Sequence, residues 1–203
     1  MQTVARKSEK KPELREAILQ AAQELFLEVG FEHFSMRRLA RKVGYSPTTL
    51  YIYFRDKQDI IYSLCEGLFE QYLAELRQVA EGETDSLARL KKLFLLSIRF
   101  GCNHQDHYHV AFFSSAAIYG RPEEFLSRDS LARRSYFFIR QVVVDCIAAG
   151  VLRPADPELV TQALLTASHG IIAAHIFWKD FPLASPDVLG ETLLHNLLEG
   201  FQA

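Results

Sequence analysis

Ser35-Met36-Arg37-Arg38-Leu39-Ala40-Arg41-Lys42-Val43-Gly44-Tyr45-Ser46-Pro47-Thr48-Thr49-Leu50-Tyr51-Ile52-Tyr53-Phe54 is the stretch whose reading decides the fold. Ser35 is a residue type that caps a helix N-terminus with its hydroxyl, and Ser46-Pro47 repeats the signal with a proline suited to a first helical turn. Gly44 can take the positive φ that a bulkier residue resists. The stretch therefore predicts two short helices, one through Val43 and one ending near Phe54, joined by a glycine turn. Leu39, Ala40, Val43 and Leu50 fall on the inward side, and Ala40 is small enough for the helices to approach closely. Arg37, Arg38, Pro47, Thr48, Thr49, Tyr51 and Tyr53 are left for the outside. Two such helices, braced by a third before them, make the helix-turn-helix arrangement that places one short helix in the major groove of DNA.

Working outward, the same local signals cover nearly the whole chain. Upstream, Pro12 suits a first turn, Leu14, Ile18, Ala21, Ala22, Leu25, Phe26 and Val29 recur at three- and four-residue spacing, and Gly30 supplies a stop. Downstream, Asp56 caps a fourth helix to about Ala80, and Thr84 or Asp85 starts a fifth that ends near Gly101 or His104. An aromatic-rich sixth follows from His107 to Tyr119. Gly120-Arg121-Pro122 interrupts the pattern, and a long helix then runs from about Ser127 to Ala149. Asp156-Pro157 and Ser185-Pro186 open the last two, Glu158 to about Trp178 and Asp187 to Phe201. No stretch alternates apolar and polar residues as a half-buried strand does. The reading is all-α: residues 1–12 as a flexible basic arm, 13–60 as a three-helix DNA-binding domain, and 61–203 as a larger helical domain.

Composition bounds the function. The chain has 203 residues, 49% hydrophobic and 24% charged, which is enough to bury a core and argues against disorder. Its uninterrupted apolar runs fall short of the roughly 18–20 residues that cross a bilayer, and the polar, basic start has no signal-peptide core. The expectation is a cytoplasmic protein with no membrane partner. Cys65, Cys102 and Cys146 lie too far apart for a zinc or redox motif and read as reduced thiols. A net charge of -2 speaks against nucleic acid only if it is evenly spread. It is not: residues 1–60 hold 11 Lys and Arg against 8 Asp and Glu, and Ser35 to Lys57 holds 6 against 1.

Leu25-Phe26-Leu27-Glu28-Val29-Gly30-Phe31, Ser35-Met36-Arg37-Arg38-Leu39-Ala40, Gly44-Tyr45-Ser46, Leu50-Tyr51-Ile52-Tyr53-Phe54, Lys57 and Ile60-Ile61 together resemble the DNA-binding domain of the TetR family of transcriptional regulators. The resemblance covers about a quarter of the chain. It implies that Arg37, Pro47 and Thr48 lie nearest the base edges, Arg37 being the candidate for a guanine, and that Ser35, Thr49, Tyr51, Tyr53 and Lys57 serve the phosphates. It also implies a dimer that binds a double-stranded operator, most often as a repressor that a small molecule releases.

The remaining residues can be read against those roles. Ala163, Ala167, Gly170 and Ala174 permit close helix approach, and with Leu189, Leu193 and Leu197 of the last helix they suit a four-helix homodimer interface. An aromatic-rich middle suits a pocket for a small apolar or aromatic effector, with Phe94, Ser97, Phe112, Phe113, Tyr136, His169 and Trp178 as candidate walls. Cys102, His104, Asp106, His107 and His109 are dense in ligand-type side chains but lack a zinc spacing, so neither metal nor cofactor is expected. Nucleophile-elbow, phosphate-loop and metallohydrolase patterns are missing, so no enzymatic activity is expected. The alternative is a small-molecule sensor or carrier acting through a protein partner, which the basic cluster disfavours.

Overall fold

The protein is described by a computed structural model over residues 5–112, 118, 119 and 121–201. Ser35, Ser46, Asp56, Asp85, Ser130, Asp156 and Ser185 each stand just before a helix and accept a bond from a backbone N–H two or three residues on. Each such cap satisfies a donor that the helix cannot satisfy itself, at about 1 kcal/mol apiece. The helices are α1 Ala5–His33, α2 Met36–Val43, α3 Pro47–Tyr51, α4 Lys57–Glu81, α5 Ser86–Asn103, α6 Gln105–Phe112, α7 Pro122–Ser127, α8 Leu131–Ala148, α9 Pro157–Phe177 and α10 Pro186–Glu199. Among the described residues there is no strand, and the fold is all-α.

Three boundaries depart from the sequence reading. The first helix begins at Ala5, so Pro12 lies inside it and not in its first turn, and residues assigned to an arm continue the helix; its regular path breaks at Gly30, where φ is 70° and ψ 175°. The Arg121–Pro122 interruption opens a short helix of its own, α7, because the Glu124 carboxylate accepts the Arg121 N–H at 3.1 Å. The long helix consequently starts at Leu131 and not near Ser127.

Two cores organise the elements. Ile18, Phe26, Leu39, Leu50, Phe54 and the first half of α4, through Ile60, Ile61 and Cys65, form the first. The second is built from the far half of α4, through Tyr72, Leu73 and Leu76, together with α5, α8, α9 and α10. Helix α4 therefore belongs to both. A cross-brace comes from α6, whose Val110 is buried in the first core. Close approach of α5 and α9 depends on Gly101, where an added Cβ would lie 2.5 Å from Ile172 Cδ1. By length and apolarity α9 could cross a membrane, contrary to the reading from uninterrupted runs. In the structure it is a core helix, with Val160, Leu164, Ile171, Ile172 and Ile176 buried against its neighbours.

Candidate nucleic-acid interface and effector cavity

The first surface is set by the inward anchoring of α2 and α3. Leu39 and Leu50 are fully buried and Ala40 nearly so, which turns the opposite faces of both helices to solvent. Gly44 ends α2 with φ 73°, its N–H directed to the Ala40 and Arg41 carbonyls, and the chain reverses within three residues. Ser46 then accepts the Thr49 N–H at 3.2 Å and Pro47 occupies the first turn of α3. Arg37, Arg38, Pro47, Thr48 and Tyr51 are exposed, Tyr51 to 54%. Tyr45 and Ile52, which the sequence reading did not single out, are exposed beside them at 48% and 67%.

Other expected phosphate contacts are held differently. Ser35 spends its hydroxyl on the Arg38 N–H at 3.3 Å as the cap of α2. Thr49 is half-buried with its hydroxyl 2.9 Å from that of Ser46, and Tyr53 packs against the first core. Lys57 turns inward: its ammonium donates to the Phe31 carbonyl at 2.5 Å and sits 3.9 Å over the Phe31 ring, and burial lowers its pKa. Lys42 is tied to Glu28 at 2.7 Å and Glu24 at 3.3 Å. Arg37, Arg38 and Arg41 are all exposed on α2.

The second feature is a cavity of about 470 Å³ enclosed by α4, α5, α6, α8 and α9 with Phe125 of α7. Four of the expected wall residues border it: Ser97, Phe112, Tyr136 and His169. Two do not. Phe94 is buried in the second core and faces away, and Trp178 is 59% exposed beyond the end of α9, edge-on to Phe181. Phe113 lies outside the described residues. Phe100, Tyr108 and Tyr119 of the aromatic-rich middle also border it, and the walls that sequence reasoning missed include Tyr72, His104 and His107. A signal was present, because Ser97, Gly101, His104 and Tyr108 recur at alternating four- and three-residue steps and so share one side of the α5–α6 run.

Hydrogen bonds order the wall. Ser97 donates to the Leu93 carbonyl at 2.7 Å, so the Tyr72 hydroxyl, 2.6 Å away, donates to Ser97. The Tyr108 hydroxyl pairs with His169 Nδ1. Burial pushes the Tyr72 phenol up to about 12 and raises that of Tyr108, while it lowers the pKa of His169 and His107. These groups are neutral near pH 7.

Residues 18–64 match the family described as bacterial regulatory proteins, tetR family. That segment carries the N-terminal domain of the TetR family. Over 173 residues it is 26% identical to the HTH-type transcriptional regulator HbdR of Aromatoleum sp. (strain CIB), an alignment spanning 85% of this chain and 75% of that one. A transcriptional regulator of the TetR/AcrR family from Thermobifida fusca superposes with a TM-score of 0.70 at 22% identity, over 94% of this chain and 100% of its own. The regulator FadR of Bacillus subtilis, solved in complex with stearoyl-CoA, superposes at 0.73 with 16% identity, over 91% and 98%. The exposed α2–α3 face thus lies within a TetR-type helix-turn-helix, and HbdR and the Thermobifida fusca protein are transcriptional regulators.

The other candidate sets in this chain sort by position. Ala163, Ala167 and Ala174 are half-buried, Gly170 is exposed, and Leu189, Leu193 and Leu197 are half-buried with one side on the second core. Leu159, Phe177 and Val188 are more than half exposed on the same two helices. The histidine-rich segment is dispersed: the His104 ring lies against Phe100, His107 against Phe26 and His109 against Phe177. Among the described residues no three His, Cys, Asp or Glu side chains are grouped to hold a metal.

Proposed function

We propose that this chain is a TetR-family transcriptional regulator, a homodimeric repressor of the bacterial cytoplasm in which residues 13–60 read a double-stranded operator and residues 61–203 bind an effector and pair the subunits. The observation that carries the reading is the double membership of α4. Its first turn lies in the DNA-binding module and its Phe69 and Tyr72 line the cavity. A guest that fills the cavity shifts the wall to which α4 contributes, and a rigid helix passes the shift to α2 and α3. Release requires that the effector prefer the setting of α4 that fits DNA poorly, since a ligand with equal affinity for both settings moves nothing.

Pairing follows from the size of the reading element. One short recognition helix buries too little to select a site, whereas two copies double the contact and fix a spacing between half-sites. The apolar exposure of Leu159, Phe177 and Val188 on α9 and α10 supports those helices as the pairing face. In this reading Ala163, Ala167, Gly170 and Ala174 let the partner approach, and Leu189, Leu193 and Leu197 complete the contact.

Fluorescence anisotropy on an operator fragment, with sedimentation of the same sample, tests the proposal. A dimer at micromolar concentration that binds the operator and leaves it when the cavity is filled is expected. A monomer, or operator affinity indifferent to every cavity ligand, overturns it.

A further inference from the structure

Among the described residues that line the cavity there is no lysine, arginine, aspartate or glutamate. Its polar groups are phenols, hydroxyls and imidazoles, and most spend their bonds internally: Tyr72 on Ser97, Tyr108 on His169, and Ser168 on the Leu164 carbonyl. Tyr119 differs. Its hydroxyl is buried on the wall near the Glu66 carboxylate, whose oxygens accept the Leu131 and Ala132 N–H groups, and makes no hydrogen bond of good geometry, while its ring stands edge-on to Phe69 and Phe125. A buried hydroxyl with no partner is costly, and a guest that brings an acceptor removes the cost. A carboxylate or phosphate entering the same space would lose its water and meet no cation on this wall.

Size and shape narrow the guest further. At a packing density near 0.75, a cavity of 470 Å³ holds about twenty non-hydrogen atoms. Phe69, Phe100 and Phe112 offer ring faces and edges suited to a ring system. We propose that the effector is an uncharged, ring-containing molecule of about this size that presents one hydrogen-bond acceptor, a ketone or ether oxygen, to the Tyr119 hydroxyl. The inference rests on the reading of this cavity as the effector site.

Calorimetry on the full chain tests it with four probes: 4-phenylbenzophenone, its ketone-free counterpart 4-benzylbiphenyl, stearate and stearoyl-CoA. The ketone is expected to bind about tenfold more tightly than the hydrocarbon, and the two equally in Tyr119→Phe. Binding of the hydrocarbon to that variant shows that the cavity is intact; if the variant loses it, the wild-type ratio and the comparison with the anions decide. The proposal is overturned if stearate or stearoyl-CoA binds more tightly than the ketone, if the ketone has no advantage, if the advantage survives in Tyr119→Phe, or if neither ring compound binds. Operator affinity measured alongside separates the two readings. Ketone binding without DNA release sustains the effector chemistry and refutes the release, whereas release by stearoyl-CoA alone does the reverse.

Discussion

The Glu66 carboxylate, on α4, accepts the backbone N–H of Leu131, the first residue of α8, at 2.7 Å, and that of Ala132 at 3.5 Å. Ser130 accepts the next free N–H, from Arg133, at 3.2 Å. One side chain of the helix shared by both cores thus caps a helix that begins 65 residues later, and its negative charge lies at the positive end of the α8 dipole. Glu66→Ala is expected to lower stability by about 1–2 kcal/mol, and Glu66→Gln, which keeps an acceptor, by less. Urea unfolding measures both, and an unchanged midpoint for Glu66→Ala would contradict the capping role.

On the DNA face, Arg37 and Tyr51 are expected to fail differently. Arg37→Ala should change the preferred operator sequence at one position, with a cost of about 1–3 kcal/mol there. Tyr51→Ala should weaken binding to all duplexes by a similar factor. Competition between the operator and single-base variants of it distinguishes the two, and an unchanged preference in Arg37→Ala would remove that residue from base reading.

Gly101→Ala sets helix propensity against crowding. Alanine is favoured over glycine inside a helix by about 1 kcal/mol, while overpacking costs about 1–3 kcal/mol. The new Cβ would stand 2.5, 3.0 and 3.1 Å from three atoms of the buried Ile172 side chain, so crowding prevails. A net loss of stability is expected, partly recovered by Ile172→Val, which removes the nearest atom. Thermal unfolding of the single and double variants checks this, and a raised Tm for Gly101→Ala would count against the α5–α9 packing.

Burial holds His107 and His169 below the ordinary histidine pKa of about 6.5. In the unfolded chain they take up protons near that value, so the unfolded state binds more protons below it. Stability is then full above about pH 6.5 and declines as pH falls toward the lowered folded-state values, by up to about 1.4 kcal/mol per pH unit for each histidine. Denaturant melts between pH 7.5 and 5 should show the decline, and His169→Gln should flatten it. Stability that rises on acidification would oppose the assignment.

Much of this was legible because it is local. Ser35, Ser46-Pro47, Asp56, Asp156-Pro157 and Ser185-Pro186 announce helix starts through bonds that span two or three residues, and all are realised. The start of α8 was misplaced because part of its capping comes from Glu66, which no window around residue 130 contains. Lys57 looked like a free surface cation, and its bond to the Phe31 carbonyl depends on how α1 and α4 meet. In the cavity, aromatic type was readable but orientation was not. Phe94 and Phe100 lie on one helix six residues apart, and only the second faces the cavity. Which side of α5 turns inward is decided by α9 and α10, not by α5 alone.

Selection of duplexes from a random pool by the intact protein, followed by the stoichiometry of the best binder, tests the central claim most directly. Two subunits that each insert α3 should enrich an inverted repeat whose half-sites are separated by about one helical turn of DNA or a multiple of it, bound by two chains. Enrichment of a single unpaired half-site, or of no sequence at all, would contradict the account.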